Sequence, residues 1–177
     1  MAINLPSSLT SGTPKAFFDI LALQGGQGKL PKDTRLLRAC AAAYAVTQAG
    51  LHLLEHGPLS SLLFGLACAA LLAAATWAVL SLYKRQDIIV QTITALTGYG
   101  AFVGVVSIFL HLILAVVLPP PLPTHRLVGF LLFPVAMWNI FGFAYIYRHC
   151  GIRLIPAFAF AAAYIITVYF IIDTLIR

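Results

Sequence analysis

Of the 177 residues, 61% are hydrophobic and only 9% are charged, whereas a soluble domain carries about 25% charge. So few charges cannot clothe a water-soluble fold of this size, and the length leaves no room for a separate catalytic domain. The net charge of +6 does not point to nucleic acid, because the basic residues stand at the ends of long apolar blocks, where anionic lipid headgroups are the natural partner.

The chain begins with a polar stretch over residues 1 to 13, with Pro6, Gly12 and several Ser and Thr. No basic leader runs directly into an apolar core and cleavage site, so no secretory signal peptide is expected. Thr13 can cap a helix that has Pro14 at its first position, and Phe17, Phe18, Ile20 and Leu21 then form a short apolar cluster within about 14–23. That piece is too short to span, so it lies at the membrane interface or packs under the bundle. Gln24 to Lys29, with Gly25, Gly26 and Gly28, reads as a flexible link. Its glycines lack the strand, helix and spacing of a phosphate-binding loop. Residues 1–35 are thus expected to form a cytoplasmic tail.

Five apolar blocks follow, 36–54, 59–83, 88–118, 127–147 and 152–176, each near or beyond the roughly 20 residues that cross about 30 Å of hydrocarbon. None shows the short alternating segments of a transmembrane barrel, so helices are the expected way to satisfy the backbone in lipid. The expected fold is all-α, a five-span bundle forming one transmembrane domain over 36–177.

Gly57 and Pro58 stop the first block and start the second, which makes the two an antiparallel hairpin. The second block is alanine-rich from Ala67 to Ala78, with Trp77 and Tyr83 as interface anchors toward its end. The third block is 31 residues long and must tilt, bend or begin at the interface; Gln91, Thr92 and Thr94 suit an interfacial beginning. Thr97, Gly100, Gly104, Ser107 and His111 follow one helical stripe, preferred as a packing seam over a conduction path. Leu118 to Pro123 is a stiff proline-rich turn, and Pro134 and Pro156 are expected to bend or locally loosen the last two spans.

With a cytoplasmic amino terminus, nine of the eleven Lys and Arg residues fall on one side: Lys15, Lys29, Lys32, Arg35, Arg38, Lys84, Arg85, Arg148 and Arg153. Only Arg126 and Arg177 fall on the other. This asymmetry obeys the positive-inside rule and supports an odd number of spans, with an external carboxyl terminus. Cys40, Cys68 and Cys150 imply neither a disulfide framework nor a paired-cysteine metal site.

The residues able to carry chemistry gather on the opposite side. His52, Glu55 and His56 read H-x-x-E-H at the end of the first span. Histidines four apart on a helix can share a metal ion, Zn²⁺ or another transition metal, with Glu55 as a general base in the inverted zinc-peptidase manner. His111 and His125 are expected at similar depth, His125 in the external loop, with Asp173 also outward. The simpler reading, a solvated or hydrogen-bonded span end, is preferred, since such groups are tolerated best near the interface. Gln48 extends the same stripe inward and should face the seam at Ser107 and His111; Asn139 reads as an interhelical hydrogen-bonding group. No charge sits at the centre of a span, which argues against an ion-coupled transporter, and no Ser/His/Asp set or nucleotide motif is legible.

Three short motifs, Pro14-Lys15-Ala16-Phe17-Phe18, Leu96-Thr97-Gly98-Tyr99 and Trp138-Asn139-Ile140-Phe141-Gly142 followed by a basic loop and a final span, resemble the Yip family of five-span membrane proteins, the Rab-interacting-protein-like group with bacterial relatives. The resemblance covers about Pro14 to Ile176. It implies a cytoplasmic tail, a short external carboxyl end and a role in membrane organisation or trafficking rather than catalysis. The chain lacks the long acidic tail and the Asp-Leu-Tyr-Gly-Pro segment of the eukaryotic members, so binding of small GTPases is not carried over. The resemblance transfers no functional residue. The expected setting is a bacterial inner membrane, with the lipid bilayer and other membrane proteins, or further copies of the chain, as partners.

Overall fold

The computed structural model describes residues 15, 17, 19–20, 28, 30–54, 56–117 and 124–168, and for 124–126, 128 and 129 the backbone alone. The expected cap at Thr13 and Pro14, most of the glycine link, Glu55, the proline-rich turn, Asp173 and the end of the fifth block lie outside the described residues. Those described form helices and no strand: α1 (Thr34–Leu53), α2 (Pro58–Leu82), a 3₁₀ turn (Gln86–Ile88), α3 (Ile89–Val117), α4 (Thr124–His149) and α5 (Leu154–Ile166). Three stretches, Pro58–Leu82, Gln86–Val117 and Phe130–His149, are long and apolar enough to cross a membrane. The described residues thus build an all-helical fold, and its three long apolar helices are consistent with an integral membrane protein. In α1, Arg35, Arg38, Gln48 and His52 dilute the apolar run, and the described part of α5 is 13 residues long.

Local chemistry sets the helix limits. Asp33 caps α1, its Oδ1 accepting from the Arg35 amide at 2.8 Å, so the helix starts before the first apolar residue. Gly57 precedes Pro58 at the first position of α2, where the missing N–H costs nothing. At the far end of α2, Lys84 adopts a left-handed conformation (φ 55°) and the Arg85 amide donates back to the Leu80 carbonyl at 2.8 Å, which closes the helix sharply. The expected bend at Pro156 is replaced by a simpler role: Pro156 is the third residue of α5, inside the first turn, where its amide would have had no intrahelical acceptor. Pro134 lies inside α4, and the helix runs through it.

Side-chain meetings give the directions of the helices. Gly65 of α2 abuts Ala45 and Ala49, and a methyl added at Gly100 or Gly104 would lie 2.6 Å from the Tyr44 ring or 2.9 Å from Thr47. Thus α2 runs antiparallel to α1, and α3 parallel to it. Tyr99 and Phe102 each meet Trp138 edge-on, and Tyr99 also meets Phe143, so α4 returns antiparallel to α3. Phe160 packs on Tyr147 and Tyr83 while Tyr164 packs on Phe143, so α5 again runs with α1. In this up-and-down order, Lys32, Arg35, Arg38, Lys84, Arg85, Arg148 and Arg153 gather at one end of the bundle. There the Arg85 guanidinium comes within 3.0 Å of where a side chain on Gly151 would begin. The backbone of Arg126 lies at the other end.

The core is densest toward the basic end. Tyr44, Leu72, Leu80, Leu96, Tyr99, Phe143, Ile146 and Tyr147 are fully buried. Their hydroxyls are paired: Tyr44 with Tyr164 at 2.6 Å, Thr76 with Tyr147 at 3.0 Å, Tyr164 to the Cys68 carbonyl at 3.2 Å, and Tyr99 to the Trp138 carbonyl at 2.9 Å. The start of α3, where an interfacial beginning was expected, is enclosed by the bundle. Gln91, Thr92 and Thr94 are buried, and their polar atoms are satisfied inside the bundle. Gln91 donates to the Leu30 carbonyl at 2.6 Å, while Thr92 and Thr94 donate one turn back to Ile88 and Val90. The short amino-terminal segment packs on the bundle, the second of its two expected placements: Ile20 and Leu30 join the core, and Phe17 rests against Gly98.

Candidate functional site

Tyr44, Gln48, His52 and His56 recur every four residues and so share one face of α1 and the turn after it. Tyr44 closes the stripe at its inner end, under the Tyr164 hydroxyl. Beyond it the stripe opens into a cavity of about 370 Å³. From α1 and its end come Gln48, Leu51, His52 and His56; from α2, Phe64; from α3, Val103, Ser107 and His111; from α4, Leu132, Phe133, Val135, Ala136 and Asn139. The cavity exists because α1 and α4 each lie along α3 and barely touch one another.

The expected pairing of Gln48 with the Ser107 and His111 stripe is therefore present as a shared cavity wall. The stripe on α3 divides in two. Its first half, Thr97, Gly100 and Gly104, is buried and filled by Tyr44, Phe143 and Thr47. Its second half, Ser107 and His111, faces the cavity. Small residues built the seam where α1 follows α3 closely, and the seam opens where histidine and serine replace glycine.

His52 is buried and fixed. Its ring stacks on His56 (centroids 4.1 Å, planes 19° apart) and on Phe64 (4.4 Å, 20°), and Nδ1 lies 3.1 Å from Ser61 Oγ. Ser61 Oγ also lies 2.8 Å from the Gly57 carbonyl; when its proton goes to that carbonyl, Nδ1 of His52 donates to Ser61 Oγ. Nearly parallel rings about 4 Å apart would both hold a metal ion far out of plane, because a Zn–N bond of about 2.1 Å lies in the plane of its imidazole. In this arrangement His52 and His56 do not form a chelate. Among the described residues, no group of three His, Cys, Asp or Glu side chains is placed to hold a metal ion. Glu55 lies outside the described residues, and of His125 only the backbone is described. That backbone belongs to the first turn of α4, which starts at Thr124, rather than to the loop expected from the sequence.

Among the described residues, three side chains on the cavity wall have a buried polar atom that finds no hydrogen-bond partner: His56 through Nδ1, His111 through Nδ1 and Asn139 through Oδ1. Each such atom left unsatisfied costs roughly 1–3 kcal/mol. Asn139 was expected to hydrogen-bond between helices; it lies between α3 and α4 with its oxygen unanswered. The chemistry on offer is that of binding. Amide, hydroxyl and imidazole groups that both donate and accept stand among aromatic and aliphatic walls.

Sequence reasoning missed Phe64, Leu132, Phe133 and Ala136. Phe64 had one usable signal, its position six residues past the Pro58 helix start, which turns it back onto the last turn of α1. The α4 residues had none, because a uniformly apolar stretch does not show which face meets a gap.

Comparison with models of protein families, with curated proteins and with solved structures gave no match.

Proposed function

We propose that this chain is a Yip-like, non-enzymatic membrane protein that crosses a bacterial inner membrane five times and acts by associating with other membrane proteins. In this reading the basic end faces the cytoplasm, the amino-terminal segment lies on that side, and the carboxyl terminus is external.

The observation that carries the reading is the sorting of charge by the bundle itself. An up-and-down order brings Lys32, Arg35, Lys84, Arg85, Arg148 and Arg153 to one end, as the positive-inside rule requires of a five-span protein. The three motifs behind the resemblance add support, because they meet in space. Phe17 rests on Gly98, and Tyr99 fills the site opposite Gly142 and donates to the Trp138 carbonyl. Association is supported by the outer half of α3, where Phe109, Leu112, Ile113, Val116 and Val117 are uncovered. Such a surface serves lipid or a neighbouring apolar helix alike.

Reporter fusions test the topology. A phosphatase fused after Arg177 is expected to be active outside the cytoplasm, and one inserted between Lys84 and Gln86 inactive. Active phosphatase at both positions would end the five-span reading. Affinity purification from membranes in mild detergent then tests association: defined membrane proteins should co-purify, and lose contact when Ile113 and Val116 become Asn.

A further inference from the structure

We infer that the cavity between α1, α3 and α4 receives the head of an uncharged amphiphile, a molecule bearing hydroxyl and carbonyl groups on a long apolar tail. The inference shares the membrane placement proposed above but not the association role.

The volume of about 370 Å³ falls in the range of small-ligand sites. No Lys or Arg lines it, and its described walls hold no carboxylate, so a fixed charge on the ligand would meet no counter-charge. Asn139 Oδ1 calls for a donor, which a hydroxyl supplies. The Nδ1 atoms of His56 and His111 donate or accept according to tautomer, so carbonyl and hydroxyl oxygens both suit them. The remaining walls are apolar, Phe64 and Val103 among them, and water alone would pair the polar atoms while leaving those walls poorly matched.

The mouth fits a tail. Phe133 lines the cavity while 57% of its surface stays exposed, which places the opening on the flank of α4, beside the gap where α1 and α4 part. A tail leaving there runs along an apolar outer surface. A glycerolipid with free hydroxyls supplies both groups and an isoprenoid quinol the hydroxyls alone, and competition separates them.

The test uses the full chain in nanodiscs and a monoacylglycerol carrying a photoreactive diazirine next to its head. Adducts are expected on peptides containing Ser107 to His111 and Ala136 to Asn139. Unlabelled monoolein displaces the probe if the source is a glycerolipid, and decyl-quinol does so more strongly if it is a quinol. Phosphatidylglycerol, which is anionic, should displace it poorly. Asn139→Leu should reduce labelling about tenfold, the effect of one lost buried hydrogen bond, and Ala136→Phe, which fills the space, should reduce it to background with unchanged elution on size exclusion. Competition on the unaltered chain decides the matter if either variant fails to fold. Adducts spread along Phe109 to Val117 without competition would overturn the inference. So would equal displacement by phosphatidylglycerol, full labelling of a folded Ala136→Phe variant, or stoichiometric zinc lost on His56→Ala. None of these readouts depends on a protein partner, so failure of the association reading leaves them intact.

Discussion

The two ends of this bundle are built from the same apolar alphabet and behave as different materials. At the basic end, the first half of α3 is enclosed, and Gln91, Thr92, Thr94 and Thr97 all direct their polar atoms to protein acceptors. Tyrosine hydroxyls tie α1, α2, α4 and α5 across the interior. At the histidine end, the second half of α3 is largely exposed, and His56, His111 and Asn139 hold buried atoms without partners among the described residues. Ser81 Oγ is an exception to the pattern, an unpartnered atom near the basic end. A close-packed, hydrogen-bonded region resists change, whereas a region with a cavity and unmet polar groups can accommodate it. The difference separates a scaffold from a place where something else can fit.

The sharpest way to break this contrast is to enlarge a residue at the packed end. Gly142→Leu forces a side chain into the volume of the Tyr99 ring, which is already pinned to the Trp138 carbonyl. A loss of about 3 kcal/mol or more is expected, seen as a large fall in the thermal midpoint of helical signal in detergent. A Gly142→Leu variant as stable as the parent would show that the tyrosine layer is loose.

Cysteine chemistry probes the same end more gently. Cys150 lies in the turn after α4, where burial pushes its thiol up to about 11, opposed by the Thr92 hydrogen bond and the nearby Arg85 charge. Near neutral pH the thiolate is scarce, so in a variant with Cys40 and Cys68 replaced by Ser, alkylation by iodoacetamide should be about 100-fold slower than for a free thiol. The rate should climb about tenfold per pH unit until the thiol ionises near 11. Because the folded state favours the protonated thiol, stability linked to this group is present below its unfolded pKa of about 9 and is lost as pH rises above that. Rapid alkylation at pH 7.5, measured by intact mass, would mean that the end opens readily.

The smallest effects sharpen the comparison rather than test its existence. Thr76→Val removes the partner of the Tyr147 hydroxyl and should cost about 1–2 kcal/mol. Asn139→Leu, in the cavity, removes an oxygen that has no partner and should leave thermal stability within about 1 kcal/mol of the parent or raise it. Chemical denaturation of both variants in the same detergent checks the ordering, and a reversed order would contradict the division into packed and adaptable ends.

Much of the helical plan was legible because membrane helices announce themselves by length and composition. The Gly57–Pro58 hairpin and the positions of α2 and α3 follow from local chemistry that needs no partner to be read. Asp33 as the cap of α1 is equally local, but it stands ahead of the apolar run that marks the helix. That the threonines at the start of α3 are enclosed by protein was not legible: a hydroxyl that bonds back to its own helix loses its preference for water, so polarity alone does not tell a wet face from a packed one. The cavity was half legible. Gln48, His52, His56, Ser107 and His111 share faces by simple periodicity, whereas the opening itself depends on α4 standing away from α1, a relation between distant segments that no local pattern encodes.

The unequal lengths of the helices carry one more consequence. α3 is 29 residues long and α1 is 20, or about 44 Å and 30 Å at 1.5 Å per residue, and the two run side by side from a common end. Because the first half of α3 is enclosed, the part that outruns α1 is its bare outer half, Phe109 to Val117, at the histidine end. In a bilayer, lipids beside that overhang would stretch while those beside the end of α1 would not, a difference in local thickness from one flank to the other. Neighbours whose own apolar belts match the thicker side would collect there, with no specific contact required.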